Sequence, residues 1–69
     1  MKKKYYVNRN AQDNGDHEVH IISCQWFPSL DNIQYLGEFE SCFPAVLEAA
    51  KYLTRVNGWK YCCEPCHTS

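Results

Sequence analysis

The chain predicts a small α+β domain: a three-stranded antiparallel sheet packed against one helix in the C-terminal half, with a cysteine-rich C-terminal tail. Three observations predict it. Residues Ile33 to Phe39 read as a strand that runs straight into a helix. From Phe43 the apolar residues recur as Phe43, Val46, Leu47, Ala50, Leu53 and Val56, the i, i+3, i+4, i+7 spacing of an amphipathic helix with one buried face. Asn14-Gly15 lies between two β-favouring stretches, and both residues tolerate positive φ, which makes the pair a hairpin signal.

Each element has a local reason. The first strand, about 4–8, is rich in β-favouring side chains through Tyr5-Tyr6-Val7. The second, about 16–22, alternates so that His17, Val19 and Ile21 share one face while Glu18, His20, Ile22 and Cys24 share the other. Trp26 to Asn32 is a connection, since Pro28 ends a strand and Asp31-Asn32 favours a turn. The third strand, about 33–39, places Ile33, Tyr35 and Phe39 toward the helix, with Gly37 marking a bulge or a close approach.

The helix is expected over about 42–57. Ser41 is placed to cap it, Lys51 and Arg55 suit its C-terminal end, and Asn57-Gly58 supplies the stop. Pro44 lacks an N–H and pushes Phe43 away from helical dihedrals, which offers Pro44 as an alternative start of the regular helix. The tail, 59–69, begins with Trp59-Lys60-Tyr61, which reads as a short edge strand, and ends in Cys62-Cys63-Glu64-Pro65-Cys66-His67-Thr68-Ser69.

Composition limits what such a domain does. A chain of 69 residues buries a modest core and usually needs a staple. A net charge of −1 argues against a dedicated binder of nucleic acid or anionic membrane, which concentrates Lys and Arg on one face. Met1-Lys2-Lys3-Lys4 is a basic start with no apolar stretch after it, so the sequence predicts neither export nor a membrane span, and the cytosol is the expected address.

Five cysteines are the feature the fold does not explain. In a reducing compartment they point to metal binding or redox chemistry, and in an oxidising one to disulfides. Cys63-Glu64-Pro65-Cys66-His67 matches the C-x-x-C-H haem-attachment pattern, but it sits at the chain end without room to wrap a haem. A thioredoxin-like pair should open a helix, and a nucleophilic Cys beside His67 lacks an orienting residue, so no catalytic residue is assigned.

Zinc suits the donors better than any other cofactor. The knuckle-like spacing of Cys62 and Cys66 needs two further ligands, for which Cys24 and Cys42 are the candidates, with His20, Cys63 and His67 as alternates. The competing readings are disulfides among the same thiols, or free thiols buried as small apolar groups. Five thiols leave one unpaired in any full disulfide scheme, and Cys63 beside Cys62 is the natural leftover.

Gly15-Asp16-His17-Glu18-Val19-His20, then Cys24, Tyr35-Leu36-Gly37 with Phe39, Ser41-Cys42, Cys62 and Cys66-His67-Thr68-Ser69 together resemble a family of short uncharacterised bacterial proteins over nearly the whole length. The resemblance implies a stand-alone small domain and carries over no catalytic residue. Tyr35 to Ser41 with the helix also looks like the strand-to-helix corner of plant-type and integrase arm-binding domains, which read DNA with a three-stranded sheet. Glu18, Glu38 and Glu40 would oppose phosphate on such a surface. The expected function is therefore a non-catalytic binding or accessory module tied by a Cys/His cluster, with a protein as partner. A sheet-based DNA binder and a disulfide-stapled or thiol-redox protein are the alternatives.

Overall fold

A computed structural model describes residues 1–25, 28 and 30–67. The expected connection through Trp26, Phe27 and Ser29, and the last two tail residues, lie outside them. Four strands form one mixed sheet: β1 (Lys3–Asn8), β2 (His17–Ile21), β3 (Ile33–Phe39) and β4 (Val56–Gly58), in the order β3-β1-β2-β4. One helix, α1 (Cys42–Ala49), follows β3, and short 3-10 turns occupy Leu30–Asn32 and Glu64–Cys66. The three expected strands are all present and antiparallel, and the sheet gains a fourth that runs parallel to β2.

The first connection is longer than a tight hairpin. β1 ends at Asn8 and β2 begins at His17, so Asn14-Gly15 turns the chain within a loop rather than between paired residues. Gly15 takes φ +90° as the turn requires, and the Asp16 N–H donates to Asn14 Oδ1 at 2.9 Å.

On β3 the alternation is broken where Gly37 predicts. Tyr5 pairs with Gly37 and Tyr6 with Tyr35, which leaves Leu36 as the extra residue of a bulge, and Gly37 has φ +126°. The extra residue changes which side chains meet the core. Leu36 is buried and Phe39 packs beside Tyr5, whereas Tyr35, expected to face the helix, is about half exposed and lies against Tyr6 at 5.2 Å between ring centres. A period-2 reading carried through the bulge assigns Tyr35 to the wrong face.

The helix is shorter than predicted and buries a different face. It stops at Ala49 with Ala50 as its cap, not near residue 57. Ser41 is the N-cap residue, although its hydroxyl makes no capping bond, and Pro44 falls in the first turn, where its missing N–H costs nothing. Cys42, Ala45 and Ala49 are the buried residues, at i, i+3, i+7, while Phe43 and Leu47 are exposed and line an apolar groove with Val46, Pro65 and Cys66. Small residues let the helix backbone approach the sheet closely, where Tyr5, Val7, Val19 and Leu36 complete the core. Val7 and Val19 are fully buried, each contributing about 1.5–3 kcal/mol before chain entropy is counted.

The segment beyond Ala50 prefers a strand to more helix. Thr54 and Val56 are β-branched, Arg55 takes φ +56°, and the His17 N–H donates to the Arg55 carbonyl at 2.8 Å, starting the ladder between β2 and β4. Arg55 Nε and Asn57 Nδ2 both reach the Asp16 carboxylate, at 3.3 and 3.4 Å, which ties the start of β4 to the loop before β2. Gly58 closes no helix. It pairs with Val19 at the end of β4, where a Cβ would lie 2.7 Å from both the Cys63 carbonyl oxygen and Cys66 Cβ. Glycine here is a requirement of space, and it brings the tail back onto the sheet.

Candidate metal centre

The tail returns beside the end of β2, and three donors meet there. His20 stands on β2 opposite Tyr6 of β1 and is 3% exposed, its ring stacked on that of Trp59 at 5.2 Å. The chain turns after β2, with the Cys24 N–H donating to the Ile21 carbonyl at 2.9 Å, and Cys24 is buried. A second turn follows β4, closed by the Cys63 N–H donating to the Trp59 carbonyl at 2.8 Å, and it presents the half-buried Cys62.

The ligand atoms of His20, Cys24 and Cys62 all lie within 4.8 Å of one another, with Cys62 Sγ 4.0 Å from His20 Nδ1. A zinc ion with bonds of about 2.0–2.3 Å separates neighbouring tetrahedral ligands by roughly 3.5–3.8 Å, so small side-chain rotations close the set around an ion.

The electrostatics suit neutral imidazole and protonated thiols that give up their protons on coordination. Burial lowers the His20 pKa to about 4, so the ring is uncharged near neutral pH, the form that ligates a metal. Burial, and then the hydrogen bond with Cys24, push the Cys62 thiol upward. Burial also raises Cys63.

The residues expected as ligands divide into two groups. Cys24 and Cys62 join the centre together with His20, which the sequence offered only as an alternate. Cys42 and Cys66 are instead joined to each other as a disulfide, with Cα atoms 6.3 Å apart, which removes both from the ligand set. Cys63 is 1% exposed and belongs to the core cluster. His67 bonds through Nδ1 to the Gly58 carbonyl at 3.0 Å, and His17 through Nδ1 to the Asn8 carbonyl at 3.0 Å. The signal for His20 lies in the alternation of β2, which places it on one face with Cys24. Its stacking partner Trp59 carries no such signal.

Glu18 lies two residues before His20 and is 2% exposed, with Oε2 lacking any hydrogen-bond partner. Burial raises its carboxyl pKa, Asp16 adds repulsion, and His67 offsets part of the rise. A raised folded pKa stabilises the fold below the ordinary value of 4.5, and that contribution is lost as pH rises through the folded value. Glu18→Gln should therefore stabilise the protein by about 1 kcal/mol at pH 7 and by nothing near pH 4. Urea unfolding at the two pH values checks this, and an equal effect at both would show that the carboxylate charge is not the cause.

Comparison with protein-family models, with curated proteins and with solved structures finds no match for this chain.

Proposed function

We propose that this chain is a non-catalytic binding or accessory module whose fold is tied twice, by the Cys42–Cys66 disulfide and by one zinc ion on His20, Cys24 and Cys62. The observation that carries the reading is the convergence of three donors from β2, the turn after it and the tail. Coordination ties β2 and the turn after it to the tail, so binding contributes directly to folding.

Catalysis is not assigned to these residues. An imidazole held neutral to about pH 4 is a poor general acid near neutrality, and a thiol whose pKa is raised by burial is a poor nucleophile. Nucleic-acid binding draws some support from the Tyr6–Tyr35 ring pair, which lies on the face of β1 away from the core. It is the weaker reading, because Glu38 pairs with Lys4 on the same strands and the net charge is −1. Among the described residues no helix is long and apolar enough to cross a membrane. The disulfide weighs toward an oxidising compartment and against the cytosolic address expected from the sequence.

Competition titration with a coloured chelator tests the zinc reading. The protein should bind one equivalent of Zn²⁺, and His20→Ala, Cys24→Ser and Cys62→Ser should each weaken binding by at least about 100-fold, more than the loss of an outer-sphere partner produces. Unchanged affinity in all three variants would refute it.

A further inference from the structure

Among the described residues the centre has three protein donors, and zinc takes four ligands. What fills the remaining vertex is decided by which side of the centre is closed. His20 closes one side: it is 3% exposed and stacks against Trp59. Cys24 and Cys62 line the other side, where Ile21, Ser23, Gln25 and Tyr61 complete a cleft of about 570 Å³ open to solvent. A further thiol, Cys63, hydrogen-bonds with Cys62, but it is 1% exposed in the core cluster and lies outside the set of donors that are all within 4.8 Å of one another.

The geometry points to an exchangeable fourth ligand, a neutral planar nitrogen donor of the imidazole class, entering from this cleft. The inference rests on the zinc reading above. It fits the charge of the site: one Zn²⁺ with two thiolates and a neutral imidazole sums to zero, and none of the described residues that line the cleft is charged. A neutral donor therefore enters without leaving a buried net charge. It also fits the lining, because Ser23 and Gln25 offer hydrogen bonds and Tyr61, 62% exposed, puts an aromatic ring at the cleft, where it also meets the Trp59 ring at 5.5 Å between centres and Lys60 Nζ at 5.6 Å. A centre of this kind binds a partner through the metal, as a histidine side chain or a free heterocycle would supply, in place of a ligand of its own.

Cobalt substitution separates this inference from the reading beneath it. Co²⁺ added to the full chain, without reductant and under argon, should give thiolate-to-metal charge-transfer absorption with the intensity of two thiolates. Imidazole should then shift the visible ligand-field bands saturably, with the charge-transfer intensity retained. Tyr61→Ala should weaken imidazole about 3- to 10-fold at unchanged cobalt affinity, the loss expected for one aromatic contact. Ligand-field bands insensitive to imidazole, or charge-transfer intensity of three thiolates that falls by a third in Cys63→Ser, would overturn the inference while leaving the metal site standing. Absence of thiolate charge-transfer altogether would refute the site itself, and the fourth ligand with it.

Discussion

Cutting the Cys42–Cys66 bond, by the paired substitution Cys42→Ser and Cys66→Ser, should remove about 3–4 kcal/mol of stability. The bond closes a loop with a sequence separation of 24, for which the restriction of the unfolded chain alone predicts that magnitude. A core this small rarely supplies more than about 3–5 kcal/mol in all, so the variant should be largely unfolded near 37 °C. The structural reason is local. Cys66 sits where the tail passes Gly58, and Cys42 opens the helix, so the bond ties the tail, which packs on β4, to the start of α1. Urea unfolding of the metal-free protein and the variant measures it, and a difference under about 0.5 kcal/mol would show that packing holds the tail without the bond.

Zinc should produce the second large effect. At free zinc a thousandfold above Kd, binding to the folded state alone adds about 4 kcal/mol and raises Tm accordingly. At the same free zinc the gain should fall to about 1.4 kcal/mol or less in Cys62→Ser, whose affinity is at least about 100-fold weaker. Coordination needs thiolates, so binding releases protons and the zinc-dependent gain should shrink as pH falls. His20 adds a separate signature in the metal-free protein. Its folded pKa of about 4 lies below the ordinary 6.5, so the unfolded state binds the extra proton between those values. Stability contributed above pH 6.5 is therefore lost as pH drops toward 4, by on the order of 2 kcal/mol. Thermal unfolding across this range, with and without zinc, measures both effects. A zinc-dependent gain that persists unchanged at pH 5 would contradict coordination by thiolates.

The elements most legible in the sequence are those set by short-range chemistry. Tyr5-Tyr6-Val7, the β2 alternation, the Gly37 irregularity and the start of the helix after Ser41 all follow from neighbouring residues and appear where expected. What was not legible depends on the approach of distant segments. The apolar stripe from Phe43 to Val56 outweighed the smaller set Cys42, Ala45 and Ala49, because periodicity scores large side chains and cannot show that the sheet lies too close to admit them. β4 was hidden at the end of that stripe, where Val56 begins it, since its pairing partner is β2, almost forty residues earlier.

The same limit applies to the site. Sequence spacing tied Cys62 to Cys66, but the fold sends the two sulfurs to different places. Cys66 follows the 3-10 turn to Cys42, and Cys62 stays beside His20. Five cysteines and three histidines offer metal, disulfide and free-thiol chemistry without showing the pairing, which depends on Gly58 bringing the tail onto the sheet.

The most direct test of the zinc-tied, disulfide-tied module is its intact mass after refolding in air with one equivalent of Zn²⁺, under native and then denaturing conditions, with thiols alkylated in the denatured sample. The account predicts one zinc per chain in the native spectrum. After denaturation it predicts a deficit of two hydrogens for Cys42–Cys66 and three alkylated thiols, at Cys24, Cys62 and Cys63. A metal-free native mass with a deficit of four hydrogens and a single alkylated cysteine would contradict it, because two of those three thiols would then be a second disulfide rather than a centre that holds an ion.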